Sequence, residues 1–206
     1  MLSLFCPWHK WWFCVVNGFK MEGSRMKIRE MFSYRNMQHN WISRLIDSLK
    51  EIPEDIFFEK DGSPLKREVS QLEKKLFKLL ITRFGSDVES NFGPMIPENQ
   101  FTVDFFLPTI PGTLIEIEKG KLPRLELDIM KIINSIYRFP STYGFGCIVV
   151  PVNYIRLNLA GQRSPYQFVT NNLIPLNSPI IDLKDKDGSY LIKDFLVVGY
   201  FDPRGK

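Results

Sequence analysis

Phe101-Thr-Val-Asp-Phe-Phe-Leu107 and Thr113-Leu-Ile-Glu-Ile-Glu-Lys119, joined by Pro108-Thr-Ile-Pro-Gly112, form the stretch on which the reading of this chain turns. The two outer segments are short, rich in aromatic and β-branched residues and bounded by proline and glycine, so they read as strands linked by a turn. Each carries charge where an apolar residue is expected: Asp104 interrupts the first, and Glu116 and Glu118 alternate with isoleucine in the second. An isolated carboxylate is costly to desolvate, so carboxylates in buried strands call for a positive partner, and a divalent cation is the first candidate. Side chains alternate along a strand, which puts Leu114, Glu116 and Glu118 on one face and Ile115, Ile117 and Lys119 on the other. If the two strands pair antiparallel, Asp104 approaches Glu116 closely enough for both to ligate one hard cation. Mg²⁺ commonly takes one or two protein carboxylates and keeps waters for phosphate oxygens. Taken singly, an Asp cap or a solvated edge-strand glutamate is the simpler explanation; taken together, the pattern favours a site.

Upstream, Trp41, Leu45, Ile46, Leu49 and Ile52 recur at helical spacing over 36–52. Ser63-Pro64 offers an N-cap and a first-turn proline for a second helix reaching about Phe84, with Leu65, Val69, Leu72, Leu76, Leu79 and Leu80 as its stripe and Gly85 as its stop. Glu73 flanks that stripe and is a candidate to hold a metal-bound water, with an ordinary surface glutamate as the equal alternative. Downstream, Leu125, Ile129, Ile132, Ile133 and Ile136 mark a helix over 125–138, residues 145–150 read as a buried strand, 164–173 as helical and 194–201 as a further strand. This order indicates an α/β (mixed α+β) fold with a central mixed sheet flanked by helices.

A chain of 206 residues can bury a sizeable core, and no run is long enough to cross a membrane. Residues 1–25 crowd Phe5, Trp8, Trp11, Trp12 and Phe13 together and read as an N-terminal extension or leader of uncertain status. Residues 26–206 show no repeat or low-complexity linker and are expected to form a single domain. Cys6, Cys14 and Cys147 lack the spacing of a disulfide framework or a zinc site, which points to a reducing cytoplasm. A net charge of +4 is compatible with a polyanionic partner without demanding one.

Asp104, eleven intervening residues and then Glu116-Ile117-Glu118 resemble the PD-(D/E)XK nuclease superfamily, whose mixed sheet carries an Asp on one strand and (D/E)-x-Lys on the next. Val103 replaces the family's proline, and Glu118 stands where its lysine is usual. The Glu-x-Glu ending is similar to that of the BamHI/BglII-like type II restriction endonucleases. Lys119 falls one residue late and on the other face. The resemblance spans about 63–150. It implies a restriction-endonuclease-like core and a Mg²⁺-dependent DNA endonuclease with one or two ions. Asp104 and Glu116 would be metal ligands, the Ile117 carbonyl a third, and Glu118 would orient or deprotonate the attacking water. Glu73 would match the family's helix glutamate.

A type II enzyme further implies double-stranded DNA as substrate, a homodimer and a cognate DNA methyltransferase. Lys119, Lys121, Arg124, Lys131 and Arg138 are candidates for phosphate contacts, with a solvated basic face as the equal alternative. Arg156 and Arg163, with Tyr154, Gln162, Asn171 and Asn172, supply donors suited to base edges. A repair or junction-resolving nuclease of the same fold, or a DNA-binding module without turnover, stands as the alternative function.

Overall fold

The computed structural model describes residues 24–65, 70–93, 102–118, 122–153 and 164–205. Six strands form one mixed sheet: β1 (Ile28–Ser33), β2 (Glu89–Phe92), β3 (Val103–Leu107), β4 (Gly112–Ile117), β5 (Tyr143–Pro151) and β6 (Asp194–Tyr200). Their spatial order is β1-β6-β5-β4-β3-β2. β2, β3 and β4 run as an antiparallel meander. β5 lies parallel to β4, β6 parallel to β5, and β1 closes antiparallel on β6. The helices are α1 (Asn40–Lys50), α2 (Ser70–Phe84), α3 (Leu122–Arg138), α4 (Pro165–Phe168) and α5 (Ile174–Ile181). Among the described residues no helix is long and apolar enough to cross a membrane.

The architecture follows from which face each strand residue presents. Phe105, Leu107, Ile115, Ile117, Cys147, Val149, Leu196 and Val198 point to one side, where they pack with Leu45 and Leu49 of α1 and Leu72, Leu76 and Leu80 of α2. Leu114, Ile148, Val150, Phe195 and Val197 point to the other, against Leu125, Ile129, Ile132, Ile133 and Ile136 of α3 and Ile174 and Ile181 of α5. Two helical layers therefore enclose the sheet, and β4, β5 and β6 are buried along their whole length. The α3 stripe is at most 1 % exposed, each such side chain contributing about 1.5–3 kcal/mol relative to leaving it in water. A parallel pair needs a long crossover, and α3 supplies it between β4 and β5.

Helix ends follow local chemistry. Gly85 adopts φ +97° and donates its N–H to the Ile81 carbonyl at 2.8 Å, closing α2 where the sequence places its stop. Ser164 and Gln167 form a reciprocal capping box before Pro165, and the helical run continues through a wider turn at Val169–Leu173 to Ile181, eight residues beyond expectation.

Three elements differ from the sequence reading. Ser63 and Pro64 do not open a helix: Ser63 bonds Asp61 in a side-chain turn, Pro64 pairs with Phe58, and α2 is described only from Ser70. β1 escapes a period-two reading because the register slips between Ile28 and Glu30, so its inward and outward residues do not alternate cleanly. β2 has an exposed or half-buried Glu-Ser-Asn-Phe sequence that resembles a loop, with Asn91 at φ +49°.

Gly146, in the middle of β5, is required by close packing. A Cβ there would lie 2.7 Å from Ile132 of α3 and 2.7 Å from the Phe195 ring of β6. Gly146→Ala should therefore destabilise the fold by about 1–3 kcal/mol, the usual range for overpacking. A lowered urea midpoint with unchanged m-value would report it; an unchanged midpoint would show that α3 can move aside without cost.

Candidate functional site

β3 and β4 are paired with Phe105 opposite Ile115, Phe106 opposite Leu114 and Leu107 opposite Thr113. Continuing that register sets Asp104 opposite Glu116, and both share the α3 side of the sheet with Leu114 and Phe106. Backbone pairing stops at Phe105, and the Asp104 carboxylate takes over: Oδ2 accepts the Ile117 N–H at 2.7 Å. A backbone donor that β3's main chain leaves unpaired is thus satisfied by the Asp104 side chain, and the carboxylate is held in place by it.

Glu116 is 4 % exposed. Its Oε1 accepts a hydrogen bond from Lys131 Nζ at 3.0 Å, and the same ammonium lies 2.8 Å from Asp128 Oδ1. Lys131 and Asp128 sit three residues apart on α3, so one helical turn presents both to the strand. Burial pushes the Glu116 carboxyl upward, the charges of Asp104 and Asp128 push it further, and Lys131 only partly counters them, leaving it at about 9. For Lys131, burial works downward, but the Asp128 hydrogen bond and the Glu116 charge outweigh it, and the net shift is upward. Asp104 and Asp128 thus both disfavour the Glu116 anion that burial already penalises, and Lys131 is the ammonium bound to it among the described residues.

Glu118 is also buried, at 4 % exposure, and its N–H donates to the Val149 carbonyl at 2.9 Å, continuing the parallel ladder one step past β4. Its charge reaches the Tyr200 phenol, which is raised first by burial, then by Asp202, with Arg204 opposing and Glu118 adding to the rise. Asp202, fully buried, is gripped by both Nε and Nη2 of Arg204, at 2.9 and 2.6 Å, while Asn153 closes the main chain beside it at 2.7 and 2.8 Å. Glu118, Tyr200 and Asp202 thus lie at the carboxyl ends of parallel strands, the end of a sheet where α/β folds place their ligands.

The other expected residues are distributed as follows. Glu73 is half-buried on α2, between Leu72 and Leu76, whose helix covers the sheet face opposite to Glu116. Ile117 is buried on that same opposite face. Arg124 and Arg138 are exposed on α3, whereas Lys131 turns inward. Asn171 is exposed and Asn172 half-buried in the wider helical turn. Lys119, Lys121, Tyr154, Arg156, Gln162 and Arg163 lie outside the described residues.

Sequence reasoning missed Asp128. Its signal was available: it stands three residues after Leu125 and four before Ile132, inside the apolar stripe of α3. A charge within a helical stripe is the same anomaly as a charge within a buried strand.

Among the described residues no three His, Cys, Asp or Glu side chains form a ready metal cage. Asp104 and Glu116 nonetheless supply the one or two carboxylates that suffice for Mg²⁺, with hard oxygen donors only. Comparison with protein-family models and with curated proteins finds no match for this chain.

The Glu116 shift makes a prediction about stability. The folded carboxyl keeps its proton to about pH 9, and the unfolded one releases it near the ordinary value of 4.5. The folded chain therefore binds more protons in that window, and Glu116's contribution is full below it and lost as the pH rises through it. Urea unfolding without divalent cations should show wild type weakening from about pH 5 to about pH 9 and Glu116→Gln weakening less. Parallel curves for the two proteins would remove Glu116 as the titrating group.

Proposed function

We propose that this chain is a Mg²⁺-dependent DNA endonuclease that hydrolyses phosphodiester bonds, in the manner of a sequence-specific type II restriction endonuclease. The observation that carries the reading is the juxtaposition of Asp104 and Glu116 on one sheet face. Support also comes from the resemblance to the PD-(D/E)XK pattern and from the mixed sheet flanked by helices on which the two residues stand.

In this reading Asp104 and Glu116 hold the cation, with the Ile117 carbonyl as a third donor. A cation held there would supply neutralisation of phosphate charge and would make water more acidic. The chain's own groups do the rest. The Ile117 N–H fixes the Asp104 carboxylate so that it need not reorganise. Glu118 takes the place of the usual strand lysine, orienting the attacking water or accepting its proton. The buried setting of Glu116 keeps the site low in dielectric, which strengthens each charge interaction within it.

The DNA contacts rest on charge. Arg124 and Arg138 are exposed on the helix that carries Lys131 and are suited to phosphates; Lys121, Arg156 and Arg163 complete the proposed contact set. Cutting both strands of a two-fold site would call for a homodimer, and host protection for a methyltransferase. A repair or junction-resolving nuclease uses the same chemistry on other DNA.

Incubation of the full chain with supercoiled plasmid should give Mg²⁺-dependent cleavage into discrete fragments; a smear would indicate a nonspecific nuclease. Asp104→Asn keeps an oxygen acceptor for the Ile117 N–H, so it should unfold close to wild type yet lose cleavage by about a thousandfold. Asp104→Ala should lose cleavage and also about 1–3 kcal/mol of stability, because it leaves the Ile117 N–H unpaired. Cleavage that survives both Asp104→Asn and Glu116→Ala would place the chemistry elsewhere. Duplex binding without any cleavage by wild type would favour the DNA-binding module.

A further inference from the structure

The helical run from Pro165 to Ile181 is inverted at its end. Pro165, Val169, Leu173, Asn177 and Ile181 recur every four residues and are all buried, so they form the line that lies against the rest of the molecule. A regular helix overshoots a four-residue step by about 40°, and the wider turn at Val169–Leu173 takes up part of that drift. On α5 the buried line includes a polar residue: Asn177 is 7 % exposed and donates from Nδ2 to the Leu173 carbonyl at 2.8 Å. Large apolar side chains lie outside. Leu176 is 69 % exposed and Ile180 37 %, with Pro175 and Pro179 exposed beside them and Leu183, 40 % exposed, just past the helix end.

Single exposed leucines need no explanation, but Leu176, Ile180 and Leu183 follow one another at spacings of four and three and share a face with the prolines. α5 carries no charged residue at all, and a helix apolar on its inner and outer sides is normally covered on both. Charge decides what fits there. A face without charge meets no like charge when it lies on its own copy, and two such helices laid antiparallel also oppose their dipoles. In the exit from α5, Lys184 and Lys186 stand among Asp182, Asp185 and Asp187, so that two identical exits offer each other both signs. An anionic lipid surface or a nucleic acid would instead meet the three aspartates.

We propose that the outer face of α5, formed by Leu176, Ile180 and the two prolines with Leu183 beyond them, docks on the same face of a second copy of this chain across a two-fold axis. The axis sets Leu176 of one copy against Ile180 of the other, twice. Pro175 and Pro179 restrict the backbone at the contact, so little conformational freedom is lost when it forms. The run Pro165–Ile181 is about 25 Å long, which suits an interface of the smaller, reversible class. This pairing goes beyond the nuclease reading and does not rest on it, because it needs neither metal nor DNA.

Sedimentation equilibrium of the full chain across the micromolar range, without divalent cations or DNA, tests it. Wild type should show a reversible monomer–dimer equilibrium. Leu176→Glu and Ile180→Glu should each raise the dissociation constant by at least about thirtyfold, the loss expected for a central anchor. Both side chains face solvent in the single chain, so circular dichroism should show the fold unchanged. Met31→Glu alters a side chain 56 % exposed beside α1, on the other side of the sheet, and should leave the equilibrium as it is. A wild type that stays monomeric overturns the proposal, as does a dimer that survives both α5 substitutions or is broken by Met31→Glu alone. A monomer that floats with phosphatidylcholine–phosphatidylserine vesicles, and ceases to with Leu176→Glu, overturns it in favour of lipid.

Discussion

One hydrogen bond, from the Ile117 N–H to Asp104 Oδ2, stands at the point where β3 and β4 cease to pair through their backbones. Burial forbids an unpaired amide there, and β3 offers a side chain instead of a carbonyl. The consequence reaches in two directions. Toward the sheet, the bond terminates the antiparallel ladder without leaving a buried donor. Toward α3, it brings a carboxylate to the edge of Glu116 and helps raise that residue's affinity for a proton. Structural satisfaction and local charge strain are produced by the same pair of atoms.

Charge strain of this kind has to be held in place by packing. α3 brings Lys131 and Asp128 to β4 because its apolar stripe lies flat on Leu114, Ile148 and the ring of Phe195, and because Gly146 allows Ile132 to come close. The depth at which the ammonium sits is therefore set by side chains with no charge at all. Helix and strand contribute opposite charges to one contact, and the hydrophobic layer between them fixes its length.

Much of the fold was legible in periodicity. The Leu125 to Ile136 stripe, the Leu72 to Leu80 stripe and the β-branched runs of β4 and β6 each bury one face or both, so their spacing states their structure. β1 and β2 were not legible, because an edge strand has little to bury and its irregularities erase the alternation on which recognition depends. Within the site, parity grouped Glu116 with Glu118, and the antiparallel pairing expected across the proline-rich turn brought Asp104 to Glu116. Lys131 was harder to place: seven-residue spacing to Arg124 and Arg138 suggests a common solvent face, and only the carboxylates below explain why the middle residue turns inward. Asp128 was hidden by a different circumstance, since a polar residue in a helical stripe attracts notice only once its partner is known.

Both margins of the sheet are finished in a way that bears on assembly. β1 carries a register slip at its start, and β2 is four residues long with a left-handed Asn91 in its middle. Neither presents the straight, regular row of amides and carbonyls on which another strand could template itself. Among the described residues the six-stranded sheet therefore ends on two edges poorly suited to templating a further strand. An irregular edge of this kind disfavours joining two copies into one continuous sheet, so the sheet's own repeat is a poor ruler for the spacing between two such sites.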